Sequence, residues 1–145
     1  MQRRIAATLF ALLAALLVAS KVPAAETNLQ YENRFRIMLD FAVRINEYTR
    51  LHLQDTRLCA WAHAVALANA SEAEQMSPPE VYATLHPHFL LVVENVERCM
   101  YYAARRNMDR YRHHQKIVRQ ELAILETLSE RAGIESFETR SEERR

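Results

Sequence analysis

The segment from Tyr101 to Lys116, YYAARRNMDRYRHHQK, gathers the side chains of this chain best suited to binding or catalysis. Arg105, Arg106, Arg110, Arg112 and Lys116 are opposed there only by Asp109, and Arg119 extends the run. Cations at that density suit an acidic partner protein, anionic lipid head groups or an acidic polymer. A run of charge is also the ordinary solvated face of a helix. Tyr101, Tyr102 and Tyr111 fit both readings, as interface anchors or as residues at a core edge with the hydroxyl in water.

Six histidines raise the question of a metal: His52, His63, His86, His88, His113 and His114. Two ligands on one helix need a spacing of three or four residues to share a face, and no histidine pair has it. Adjacent His113 and His114 point about 100° apart on a helix. Asp109 and His113 do share a face, which an ion pair explains equally well. His86-Pro87-His88 could catch a surface metal weakly. Neither His-Glu-x-x-His nor the Glu-x-x-His of di-iron bundles is present, so no metal site is expected.

Met38, together with His113 or His114, resembles the Met/His haem-ligand pair of cytochrome b562-like bundles, and His113-His114-Gln115-Lys116 resembles the end of that family's last helix. The resemblance covers only these residues. Met38 lies further into its helix than that family's ligand, and two cysteines and a longer C-terminus are additions. It implies a non-covalent haem as an alternative reading. Covalent haem is excluded by the lack of Cys-x-x-Cys-His.

No constellation for nucleophilic or acid–base catalysis can be assembled from spacing, and an enzyme is not expected. A small helical enzyme working from scattered Arg and Glu, as chorismate-mutase-like bundles do, would draw on Arg34, Glu47, Glu97 and Arg106. The single glycine, Gly133, narrows the classes further. Phosphate-cradling loops, dinucleotide-binding turns and nucleophile elbows all need glycine for positive φ or close backbone approach.

These side chains must be carried on helices. From Asn28 to Gln75 there is no proline or glycine, and apolar residues recur at helical spacing: Tyr31, Phe35, Met38, Ala42, Ile45, then Cys59, Ala62 and Ala66. Asp55 or Thr56 can cap a second helix. Ser77-Pro78-Pro79-Glu80 reads as a capping box with proline at the first helical position, followed by a short helical piece that His86-Pro87 restarts or kinks. The periodicity resumes through Phe89, Val93, Val96 and Met100, then Val118, Leu122, Leu125 and Leu128, and stops at Gly133, placed for a C-cap. The expected fold is all-α, an antiparallel four-helix bundle with helices over about 28–53, 56–74, 78–106 and 109–132. The alternative is a long helical hairpin that dimerises.

Domain limits follow. Arg3-Arg4, the uncharged run Ile5 to Val18 of 14 residues, and Val22-Pro23-Ala24 have the layout of a secretory signal over residues 1–24. Residues 25–132 form the helical domain, and 133–145 a charged tail. Without the three cations of the signal, 16 basic residues face 18 acidic ones, so no overall field favours nucleic acid. The expected location is the periplasm or the exterior, with no membrane anchor after cleavage. There an intramolecular bond between Cys59 and Cys99 is expected. Partners across a reversal at Pro78-Pro79 have numbers summing to about 158, as these two do, and the bond would add roughly 4 kcal/mol. The same arithmetic sets the basic segment across from Asn46 to His52, with Arg44 and Arg50 beside it. The function expected is that of an exported binding protein, an adaptor, chaperone or inhibitor. It would act on an envelope or secreted protein through the basic helix, with no cofactor, and homodimerisation remains open.

Overall fold

The computed structural model describes residues 27–134; the expected signal over residues 1–24 and most of the expected tail lie outside them. The described chain is four α-helices with no strand: α1 (Asn28–Leu51), α2 (Thr56–Glu74), α3 (His86–Ala104) and α4 (Met108–Ala132), with a 3-10 turn at Glu80–Tyr82 before α3. The chain breaks at 52–55, so it is not the pair of long helices of the alternative reading.

Each break has a local cause. Thr27 opens α1 with a capping box: its Oγ1 accepts from Gln30 N and the Gln30 Oε1 accepts from Thr27 N. Asp55 caps α2 by accepting from Arg57 N and Leu58 N, and Asn107 caps α4 by accepting from Arg110 N. Gly133 ends α4 in the left-handed conformation, with Gly133 N bonded to Glu130 O and Ile134 N to Ser129 O. That is a Schellman motif. The end of α3 repeats it with Arg106, φ 56°, in the glycine position: Arg106 N donates to Ala103 O and Asn107 N to Tyr102 O.

The expected start of the third helix at Pro78 needs correction. The capping-box sequence launches only the 3-10 turn, and the α-helix begins at His86, with Pro87 in its first turn. A helix running from residue 80 would meet Pro87 in its interior, losing a hydrogen bond and clashing with the carbonyl four residues back. Starting afresh at His86 places Pro87 where its missing N–H costs nothing.

α1 buries Tyr31, Phe35, Met38, Leu39, Ala42 and Ile45 on one stripe, and α2 buries the small residues Cys59, Ala62, Ala66, Ala70 and Ala73. α3 is buried on a wider face, from Phe89 to Ala103, because it packs against each of the other helices. Tyr31, Phe35, Tyr82 and Phe89 close one end as an aromatic cluster, with Phe35 and Phe89 centroids 4.5 Å apart. Truncating a ring such as Phe89, which is fully buried, to alanine costs about 3–5 kcal/mol. Cross-helix pairs set the register. Arg34 meets Glu72 at 2.8 Å and the Met38 carbonyl meets Asn69 at 3.2 Å. His88 meets Glu121 at 2.7 Å and Asn95 meets His114 at 2.8 Å. In both helix pairs numbers rise on one helix as they fall on the other.

Cys59 and Cys99 are not bridged; both are buried free thiols and do not lie near one another. The reversal is centred on the whole connection 75–85 rather than on Pro78-Pro79, so the α2–α3 register is displaced: His63 faces Glu97 at 2.7 Å. The Cys99 thiol is also turned toward α4, where it donates to the Tyr111 carbonyl at 3.9 Å. Burial pushes the Cys99 thiol up to about 12 and raises that of Cys59 as well, so neither offers a thiolate.

Candidate functional site

The expected basic band divides. On α4, Arg112, Lys116 and Arg119 lie one turn apart along a single row, and Arg50 near the end of α1 faces them across a groove of about 530 Å³. Tyr111 and Gln115 form the groove's floor, and Gln120 and Ala123 extend it along α4. No carboxylate lines it. The juxtaposition of Arg50 with this part of α4 is the one that hairpin arithmetic expects, whereas Arg44 pairs with Asp40 at 2.7 Å and is no part of the lining.

Arg105, Arg106 and Arg110 belong elsewhere. Arg105 lies over the Tyr101 ring, 3.6 Å from its centroid, a cation–π contact. Arg106 sits in the α3–α4 turn. Arg110, with Arg98 and His113, adds positive charge around His114. His114 is depressed below its ordinary value, first by burial and then by those cations. Its ring stacks on Tyr102 at 5.4 Å, and its Nδ1 lies 2.8 Å from Asn95 Oδ1. The Asn95 amide nitrogen already donates to Leu91 O, so the imidazole is the donor to Asn95 Oδ1.

The groove floor is a chain of hydrogen bonds that runs from α1 to the Tyr111 hydroxyl. Asn46 Nδ2 on α1 donates to Gln115 Oε1 at 3.3 Å, and Gln115 Nε2 donates back to Asn46 Oδ1 and on to the Tyr111 hydroxyl at 3.0 Å. Both protons of the Gln115 amide are therefore used. The Tyr111 hydroxyl accepts and its own proton meets no acceptor among the described residues. Burial pushes that phenol up to about 12, so it remains a donor at physiological pH. One turn further on, the fully buried Thr49 hydroxyl has no partner.

Electrostatically the groove is positive and only partly neutralised. Arg50 pairs with Glu47 at 2.9 Å and Arg112 with Asp109 at 3.1 Å, both as neighbours on their own helices. Such exposed pairs exchange readily for other partners, being worth about 0–1 kcal/mol. Lys116 and Arg119 have no ion pair among the described residues.

The remaining histidines are engaged singly. His52 meets the Tyr48 carbonyl, His63 meets Glu97, His86 meets the Tyr31 hydroxyl, and His88 meets Glu121. Among the described residues no group of three or more His, Cys, Asp or Glu side chains is placed to hold a metal ion. Met38 and His113 or His114 do not converge. Gln115 is level with Asn46, eight residues beyond Met38, which is about 12 Å along the helix axis. Arg34, Glu47, Glu97 and Arg106 are likewise dispersed, the first three among separate ion pairs. Among the described residues no helix is long and apolar enough to cross a membrane.

No known protein family, curated protein or solved structure matches this chain. The groove's own chemistry is therefore what bears on function.

Proposed function

We propose that this chain is a binding protein, an antiparallel four-helix bundle that engages an anionic partner protein through the α1–α4 groove. The observation that carries the reading is the lining: Arg50, Arg112, Lys116 and Arg119 converge on one groove with no carboxylate among them. Lys116 and Arg119 have no ion pair among the described residues, and Arg50 and Arg112 hold only exposed same-helix ones, so the groove keeps a net positive charge complementary to an anion. The site is narrower than the basic segment from Arg105 to Lys116 and gains Arg50 from α1. Export is part of the same proposal. It rests on Arg3-Arg4, the apolar run to Val18 and Val22-Pro23-Ala24, and the partner is then an envelope or secreted protein.

The test is capture of partners from envelope extract by the wild-type chain and by a Lys116→Glu, Arg119→Glu variant, with Arg44→Glu as control. Arg44 is exposed and paired away from the groove, so its reversal is expected to leave capture unchanged. Groove reversal is expected to abolish capture, and added salt to mimic the variant, because screening acts within about 8–10 Å at physiological ionic strength. Equal capture by both reversed proteins at low salt refutes the groove.

A further inference from the structure

We infer that the partner presents an acidic α-helix, seated lengthwise along α4 in the groove as a fifth helix of the bundle. This rests on the groove being a binding site and adds the conformation and charge pattern of what it binds.

Three observations point to a helix. The first is length. The lining on α4 runs from Tyr111 to Ala123, about 18 Å at 1.5 Å per residue. A compact anion would use one part of such a trough. The second is spacing. Arg112, Lys116 and Arg119 stand four and three residues apart on the same row. They span about 10.5 Å of axis, which is the span of carboxylates at positions i and i+7 of a second helix. Three same-face carboxylates on an extended strand span about 13 Å and fall out of step. The third is room. α1 packs mainly on α2 and α3, and α4 on α3; the α1 and α4 backbones stand further apart and are bridged by side chains, the Asn46–Gln115 pair among them. That open seam is bounded by Arg50 on one bank and the α4 row on the other.

The floor favours carboxylates over apolar knobs. Tyr111 and Gln115 are both more than nine-tenths buried, yet each reaches the groove. The amide is saturated, while the Tyr111 hydroxyl accepts from it and donates to no acceptor among the described residues. Arg50 and Arg112 release weak surface partners, whereas Lys116 and Arg119 have none to release.

The experiment measures binding of labelled probes to the full chain by fluorescence anisotropy at low salt. One probe is a capped Ala-based helical peptide of about 15 residues with Glu at i, i+4 and i+7. A second has the same composition and helicity with the glutamates spread round the helix, and a third is inorganic polyphosphate. The row peptide is expected to bind at least about tenfold tighter than the spread peptide. Lys116→Glu, Arg119→Glu is expected to erase that advantage, with the far-UV spectrum unchanged, and a peptide with a lysine row is expected to bind this variant. Equal binding of row and spread peptides, both lost in the variant, overturns the helix and leaves the groove standing. Binding of polyphosphate in preference to the row peptide also overturns it. Equal behaviour of wild type and variant toward every probe overturns both readings.

Discussion

Asn46 on α1 and Gln115 on α4 exchange hydrogen bonds through their side-chain amides, each serving the other as donor and acceptor. Both are buried, so an amide left alone there loses water without regaining a partner. Gln115→Leu or Asn46→Leu is expected to cost about 1–3 kcal/mol. The double substitution should cost less than the two singles together, since it leaves no stranded amide. Denaturant titration of the four proteins measures the coupling; strict additivity would show that the pair is not a unit.

The cysteines make a second prediction. Both thiols are buried and protonated. Without reductant, thiol titration should find two reactive groups per chain in denaturant and almost none in the native protein. A Cys59–Cys99 peptide pair recovered from the native, oxidised chain would contradict the packing of Cys99 toward Tyr111.

Acidification supplies a third. Burial depresses both His86 and His114, and the cations about His114 add to the effect there. The fold therefore favours the neutral rings, while the unfolded chain takes up protons near the ordinary value of 6.5. The unfolded state binds more protons between that value and the depressed ones, so stability is complete above about pH 6.5 and declines as pH falls through the folded values. His114→Gln keeps a donor for Asn95 and cannot titrate. The stability gap between wild type and this variant should shift against the wild type as the pH drops from 7 to 5. A gap independent of pH would show that His114 is not depressed.

The two Schellman turns provide a matched pair of substitutions. Arg106 occupies at the end of α3 the left-handed position that Gly133 occupies at the end of α4. Arg106→Gly is expected to stabilise the fold by about 1 kcal/mol, and Gly133→Ala to destabilise it by a similar amount. At Gly133 nothing lies within 4 Å of the added methyl group, so the loss there comes from the backbone alone. Thermal or denaturant unfolding measures both, and a destabilised Arg106→Gly protein would show that the arginine side chain outweighs its backbone strain.

Helical periodicity and caps locate α1, α2 and α4 to within two residues, because Asp55 and Gly133 act through local geometry that the chain itself encodes. The start of α3 eludes the same reasoning, since Ser77 to Glu80 and Pro87 offer rival starts and the cost of proline in a helix interior decides between them. The cysteine bond fails for a related reason: a register counted from a tight reversal does not allow for the length of 75–85. The basic residues are visible in the chain, but their division into a groove and a turn depends on which way α4 faces. The floor carried a signal that periodicity alone left unread. Asn46 and Thr49 stand in phase with Phe35, Met38, Leu39 and Ala42, and Gln115 with Tyr111 and Val118. Polar residues at core spacing mark a buried network.

The position of α3, in contact with each of the other three helices while the α1 and α4 backbones stand further apart, also sets the order in which the molecule opens. α1 can detach as a unit by giving up contacts on two sides, with α2, α3 and α4 remaining packed. α3 cannot be released without dismantling the whole. Amide protons of α1 should therefore exchange with solvent deuterium through a partial opening at a free energy below the global value, whereas those near the middle of α3, around Val93 and Val96, should exchange only when the entire chain unfolds. The same partial opening widens the α1–α4 seam.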